Sequence, residues 1–407
     1  MRSTAMLVLV AAALAQPVLG QGSPPTSAPT PPVDAPPVVV PRQLTLEQAD
    51  ALLVQYNTTV QGARYGVDVA RGTVASANVR PNPTLTLGAE AFNLRAPGKN
   101  LFSTGNTASQ RVYTVRLDEV FERGHKRQLR TATALSQLQA ADAQVLDALR
   151  LQRLQLRQAF FTAVLARENV RTAEENLRLT EDTERLIKVR VEAGEAPAWD
   201  LIKFQTNKIQ FRRDLEAAKL AYRQAASDVL TALGASAEAL SGPAAVGGTA
   251  PLPTSLTDTP LEVVGDLYAV PAPPPLSLTD MRQAALAHRP DVVAAQRLVE
   301  AGQHNVEVAR AQRHSDPDVA LEYQRNGSDN TVGATVSLPL LVFNRYQGQI
   351  AQALGQLHQA EASLRQVQVA AQADVDKVYQ AYQQNQRLLT LYTTESLAKS
   401  FRVRNSA

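Results

Sequence analysis

Five histidines, His125, His288, His304, His314 and His358, are the residues most able to hold a metal or move a proton near neutral pH. His304, His314, Asp316 and Asp318 lie near enough in sequence to suggest a ligand set. The two histidines stand ten residues apart, where a helix should run into a strand, and that spacing does not put both on one helical face. They read as solvated surface residues, and no metal site is assigned. Glu174–Glu175 and Asp118–Glu119 pair carboxylates, but a chain with 38 acids produces such pairs without catalytic purpose. Zinc-protease helices, phosphate-binding glycine loops, nucleophile elbows and dinucleotide fingerprints are all missing. With no cysteine, thiolate zinc sites, iron–sulfur clusters, cysteine nucleophiles and disulfide scaffolds are excluded together. The chain offers no catalytic residue and calls for no cofactor; it does not read as an enzyme.

The elements around these residues are more informative. Lys+Arg 41 against Asp+Glu 38 gives +3, too balanced for nucleic-acid binding driven by counterion release. Hydrophobic residues make up 44% and aromatic ones only 5% of 407 residues, a composition suited to long solvated helices. Residues 1–20 read as a signal peptide, with Arg2 before the apolar run 5–15 and cleavage expected after Ala15 or Gly20. Eleven apolar residues are short of the ~20 that span a bilayer, and no later run reaches 18. Residues 21–43 form a proline-rich linker. A second Pro/Gly-rich segment, 234–275, separates two similar halves, 44–233 and 276–407.

The halves align at an offset of 232 residues, which sets Leu44 on Leu276, Val60 on Val292 and Ala77 on Ala309. Two residues must be inserted before Pro83 meets Pro317. Each half reads helix, strand pair, long helix. Strands are expected at about 84–94, 111–121, 317–325 and 331–341, each alternating apolar and polar residues. From Lys126 to Ala193 no proline interrupts a helical rod, and a second helix follows Pro197. Alternating steps of three and four trace an apolar stripe from Leu135 through Leu156 to Leu177, and another from Leu201 to Ala232 broken once, at Lys208. Two such stripes joined by Gly194-Glu195-Ala196-Pro197 predict an antiparallel coiled-coil hairpin over 126–233. A long helix is expected at 345–400 in the second half. The fold class is therefore mainly α with a small β part.

Taken together, these residues resemble the TolC-like outer membrane factor family, in its cobalt-zinc-cadmium cation efflux branch. The likeness runs from Leu44 to about Lys399 and is carried by an ordered series of short motifs. Leu44–Ala49 is similar to the family's opening helix, and Arg80-Pro81-Asn82-Pro83-Thr84-Leu85 to the branch's helix-to-strand junction. Glu122–Arg127 resembles the branch's start of the long helix, with His125 where a second glycine is expected and Glu119-Val120 where Gln-Pro is expected. Arg190–Gly194 resembles the periplasmic tip. Ser337–Leu340 and Phe343–Gly348 resemble the second strand-to-helix passage.

The resemblance implies a homotrimer in which each chain gives four strands to one transmembrane barrel and its long helices to one periplasmic tunnel. Four strands cannot close a barrel, which needs about eight, and lipid does not tolerate open strand edges. Apolar strand faces would then meet outer membrane lipid, while Thr86, Glu90, Thr114, Arg116, Glu322 and Thr335 line a wet lumen. The tip, with Arg190, Gly194 and Pro197, would meet a periplasmic adaptor (a membrane fusion protein) working with an inner-membrane efflux pump. The implied function is a passive conduit for divalent heavy-metal cations, located in the outer membrane and extending into the periplasm. Drug efflux, type I secretion and a periplasmic coiled-coil adaptor or scaffold are the alternatives. One further expectation concerns the second half. Arg127 precedes Gly194 by 67 residues, so counting from Arg345 sets a second tip near 412, beyond Ala407. The stripe from Ile350 through Leu357, Leu364, Ala371 and Val378 to Tyr392 nevertheless asks for a partner. A truncated or frameshifted chain lacking its last helix is one reading. A short natural variant covered by a neighbouring chain is the other.

Overall fold

The computed structural model describes residues 40–90, 112–235, 261–265 and 277–392. The signal peptide, most of the proline-rich linker, most of the inter-repeat segment, residues 91–94 and 111 of the expected strands, and the helix beyond 392 lie outside the described residues. The elements run β1 (Gln43–Leu44), α1 (Leu46–Tyr56), α2 (Thr58–Ala77), β2 (Thr84–Glu90), β3 (Val112–Val120), α3 (Lys126–Glu192) and α4 (Ala198–Leu233). The second half gives β4 (Glu262–Val263), α5 (Leu278–His288), α6 (Pro290–Ala311), β5 (Asp318–Asn326), β6 (Asp329–Ser337) and α7 (Gln347–Leu391).

The two halves repeat residue for residue at their start. α1 and α5 begin 232 residues apart, as do α2 and α6, whereas β2 and β5 begin 234 apart. Both short helices start at a hydroxyl cap. Thr45 Oγ1 accepts from the Gln48 amide at 3.3 Å while Gln48 Oε1 accepts from the Thr45 N–H, and Ser277 Oγ accepts from the Asp280 amide. The next joint differs in chemistry. Asn57 is buried between α1 and α2, its Nδ2 donating to Gln152 Oε1 and the Ala232 carbonyl. Its counterpart Arg289 instead forks onto Asp291 and reaches Asp374 of α7 at 3.2 Å. Burial raises the pKa of Asp291, but the hydrogen bond and charge of Arg289, the Val292 amide and Arg150 outweigh it, and the net shift is downward.

α3 has 67 residues and α4 has 36, about 100 Å and 54 Å of helix. α4 can therefore cover only part of α3, and α2 and α6 pack on the rest. That length mismatch corrects the stripe. Leu156, Ala163 and Ala166 are buried with Leu215, Tyr222, Ala225 and Val229, as hairpin partners should be. Nearer the sheet, Leu135 is exposed while Ala134, Ala140 and Ala143 are buried, because different helices cover α3 there. Lys208, the one break in the second stripe, bonds Glu184 at 2.8 Å and lies 3.8 Å from Glu181. On α7 the stripe changes character along its length. Ile350, Ala353 and Leu357 pack on Val306 and Ala309 of α6 and Ala371 is buried, while Val378, Leu388 and Tyr392 are exposed.

β2, β3, β5 and β6 form one antiparallel sheet in that order. Asn326 pairs with Asp329 across a two-residue turn in which Gly327 has φ +62°, so the second hairpin is tighter than the expected five-residue gap. β6 ends at Ser337, which excludes Leu338 and Leu340 from the strand: Pro339 has no N–H for the ladder, and its carbonyl accepts from Ser315 Oγ at 2.6 Å. The linker and inter-repeat segment also contain structure that composition hid. Gln43 and Leu44 pair in parallel with Glu262 and Val263, and Val40, Leu261 and Val263 are buried. Two-residue strands are too short to show a period. Tyr222 and Arg167 fasten this strap: the Tyr222 hydroxyl donates to the Leu261 carbonyl and accepts from the Val263 N–H, and Arg167 donates to the Val263 and Gly265 carbonyls.

Candidate functional site

Three places bear on function: the two-faced sheet, the joint beneath it, and the tip of the α3–α4 hairpin.

Residues directly opposite in a sheet share a face. Thr86 pairs with Arg116 and Arg116 with Glu322; Thr114 pairs with Gly88, Glu322 with Gly333, and Thr335 with Ala320. Glu90 lies two steps on from Gly88. The register therefore brings Thr86, Glu90, Thr114, Arg116, Glu322 and Thr335 to one face. Asp118, Asp318 and Asp329, which the sequence reading did not place among the lumen residues, join them there. Arg116 is the one basic residue on this face among the described strands, and it lies 2.7 Å from Asp118 and 3.7 Å from Glu322. The opposite face carries Leu85, Leu87, Val115, Leu117, Leu321, Val332 and Val336, all exposed. Among the described residues neither β2 nor β6 has a second strand partner.

Beneath the sheet, the chain turns into α3 through Gly124 (φ +71°) and His125 (φ +58°). Both lie in the left-handed region that favours glycine, which explains why a second glycine suits position 125. A Cβ on Gly124 would stand 2.7 Å from the His314 ring. Asp316 bridges the halves here: one oxygen accepts from the Arg123 N–H at 2.7 Å, the other from Lys126 Nζ at 2.7 Å. Lys126, only 4% exposed, also donates to the His314 carbonyl. Asp316 thus works as a structural anchor; pairing it with a lysine 190 positions away is invisible to local spacing.

At the tip, the Gly194 N–H donates to the Val191 carbonyl and the Glu195 N–H to the Arg190 carbonyl, the two bonds of a Schellman ending, with Gly194 at φ +75°. Pro197 is the N-cap of α4 in extended conformation. The Arg190 guanidinium extends from the end of α3, with Nε 3.8 Å from Glu195 Oε2. Trp199, the single tryptophan of the chain, follows Pro197 and is exposed, as are Val189, Leu186 and Ile202. An exposed tryptophan next to a helix-starting proline was the available signal for this apolar surface.

The family model described as outer membrane efflux protein matches residues 51–235 and 281–402, one stretch for each structural repeat. The chain belongs to the outer membrane efflux protein family. It is an outer membrane efflux channel that extends into the periplasm, and this family's members are transporters rather than enzymes. The chain is 26% identical over 320 residues to the cobalt-zinc-cadmium resistance protein CzcC of Cupriavidus metallidurans, covering 78% of this chain and 68% of that one. Three solved structures show the same fold. CusC matches with a TM-score of 0.60 at 18% identity, over 89% of this chain and 83% of its own. The outer-membrane channel OprN gives 0.65 at 18% identity, over 87% and 78%. VceC from Vibrio cholerae gives 0.57 at 18% identity, over 87% and 86%.

Proposed function

We propose that this efflux channel is the outer membrane conduit of a tripartite system exporting divalent heavy-metal cations of the cobalt, zinc and cadmium kind. The observation that carries the conduit reading is the sheet: among the described residues it has four strands, one apolar and one polar face, and an open edge on each side. In lipid such edges leave N–H and C=O groups unpaired at several kcal/mol each, so closure must come from further copies. Three copies give twelve strands, a homotrimer whose apolar faces contact lipid and whose Thr86, Glu90, Thr114, Arg116, Glu322 and Thr335 line the lumen.

The cation reading is supported by the likeness to CzcC and by the charge of the lumen face. Glu90, Asp118, Asp318, Glu322 and Asp329 outnumber Arg116, whose charge is already engaged by two of them. A wall with this excess of carboxylates raises the local concentration of cations and disfavours anions. Passage needs no fixed ligand set, so the cargo is carried without resident metal sites. The tip, with Arg190, Gly194, Pro197 and the apolar group around Trp199, would engage a periplasmic adaptor that couples the conduit to an inner-membrane pump.

Growth of a strain deleted for the gene and complemented with this chain tests the cargo. Restored tolerance to zinc, cobalt or cadmium is the expected result. Restored resistance to dyes or detergents without restored metal tolerance would move the assignment to drug efflux.

A further inference from the structure

Every strand of the four-stranded sheet has an exposed arginine beyond its helix-side end: Arg80 before β2, Arg123 after β3, Arg313 before β5 and Arg345 after β6. Three of them converge. Gly124, next to Arg123, lies against the ring of His314, and Arg313 Nε donates to the Arg345 carbonyl at 3.3 Å. Among the described residues none of the four arginines has an ion-pair partner. The carboxylates nearest them are committed elsewhere, Glu122 to Arg130 and Asp316 to Lys126. Off the lumen face this leaves Glu119 alone to balance them.

An apolar segment lies in the same place. Leu338–Phe343 follows β6 outside the ladder, and the Ser315 hydroxyl on the Pro339 carbonyl ties it to the turn before β5. Leu340 is 78% and Phe343 98% exposed. Leu338 and Leu340 continue in sequence the alternation of Val332 and Val336. The Phe121 N–H donates to the Pro317 carbonyl, which carries the β3–β5 pairing one step past Val120. That step puts Phe121, also exposed, on the face of Val115 and Leu117. The apolar face of the sheet therefore runs on until it meets uncompensated positive charge. Water would satisfy the guanidinium groups and leave Leu340 and Phe343 bare. An amphiphile with apolar chains and a negative head satisfies both.

We infer that this collar binds anionic phospholipid of the periplasmic leaflet of the outer membrane. The acyl chains cover Phe121, Leu340 and Phe343, and Arg123, Arg313 and Arg345 hold the headgroup phosphate. Guanidinium groups fork onto phosphate oxygens through paired N–H donors, and arginine stems lie along apolar surface while their heads stay at the polar boundary. The shortage of carboxylates sets the preference: a zwitterionic headgroup brings an ammonium that these arginines repel. The inference rests on the conduit reading, in which the apolar sheet face meets lipid.

Native mass spectrometry of the full chain, extracted from outer membranes and supplied with equal amounts of phosphatidylglycerol and phosphatidylethanolamine, tests the headgroup. Phosphatidylglycerol should be retained in preference. Arg123→Gln and Arg345→Gln, whose side chains make no bond among the described residues, should each weaken that retention about fivefold, and together roughly 25-fold. Arg178→Gln, exposed far along α3, should leave it unchanged. Copy number, read from the same spectra, should match the unmodified chain in every variant. Inorganic phosphate at the lipid's concentration should not displace it. A nitroxide on Phe343→Cys, in a chain without native cysteine, should be relaxed by oxygen and shielded from a water-soluble nickel chelate. Equal retention of the two lipids, retention indifferent to the paired variant, or displacement by phosphate overturns the site. So does a nitroxide reached by the nickel chelate, and so does one shielded from both relaxants, which would give the segment to a neighbouring copy. Any of these results in a particle that needs detergent leaves the conduit standing. A chain released without detergent overturns the conduit reading itself.

Discussion

Gly194 and Asp316 carry disproportionate weight for single residues. Nothing stands within 4 Å of a Cβ on Gly194, so the cost of Gly194→Ala lies in its φ of +75° alone, about 1 kcal/mol. The melting temperature in detergent should fall slightly, with the barrel and membrane insertion unaffected. Gly194→Trp adds bulk to the same strain and should abolish crosslinking to the adaptor while the chain still reaches the membrane; unchanged crosslinking would remove the tip from the contact. Asp316→Ala is a different case. It leaves the ammonium of Lys126 buried with only the His314 carbonyl and strips the Arg123 N–H of its acceptor. A loss of about 3 kcal/mol is expected. Lys126→Met, which keeps the stem and removes the charge, should cost clearly less, and equal costs would show that the pair does not anchor the joint. Gly194 was legible in the sequence because the turn lies between two helical stripes. Asp316 was not, because its partner is 190 residues away.

Among the elements, α7 meets the α5–α6 joint through charge, where α3 meets the matching α1–α2 joint through the amides of Asn57 and Gln152. Arg282 forks onto Asp376 at 2.8 and 2.7 Å, and Arg289 reaches Asp374. The Arg282 hydrogen bond, opposed by burial and aided by its charge, holds Asp376 below the usual carboxylate range. A depressed folded-state pKa means the contribution is fully present above the unfolded value near 3.8 and is lost as pH falls through the folded one. Hydrogen-exchange protection around residues 371–380 should therefore decline below about pH 4. Arg282→Gln should remove that decline by weakening the segment at every pH; an unchanged profile would show that the pair does not hold α7. Helix positions were legible because 3.6-residue periodicity survives over dozens of residues, and the hairpin stripe needed correction only where α4 is too short to reach. Strand ends were less legible. Pro339 ends β6 early, and the Gly327–Ser328 turn starts it early, both backbone effects that alternation does not register.

At the scale of the whole molecule, the repeat explains what is finished and what is left open. Each half supplies one hairpin of the sheet and a long helix that follows it, and the joint between halves is made by α3 on α6, Asp316 on Lys126, and β3 on β5. The two-fold repetition was readable from a constant offset, but the strap through Tyr222, Arg167 and Val263 was not, since its buried residues sit within a Pro/Gly-rich segment. Among the described residues the sheet has an open edge on both sides, and that incompleteness is the core of the conduit reading. The most direct test is the mass of the particle extracted from outer membranes, measured by native mass spectrometry. The account predicts that extraction requires detergent and that the particle contains three copies of the chain. Recovery of a single chain in the soluble periplasmic fraction, without detergent, would contradict it.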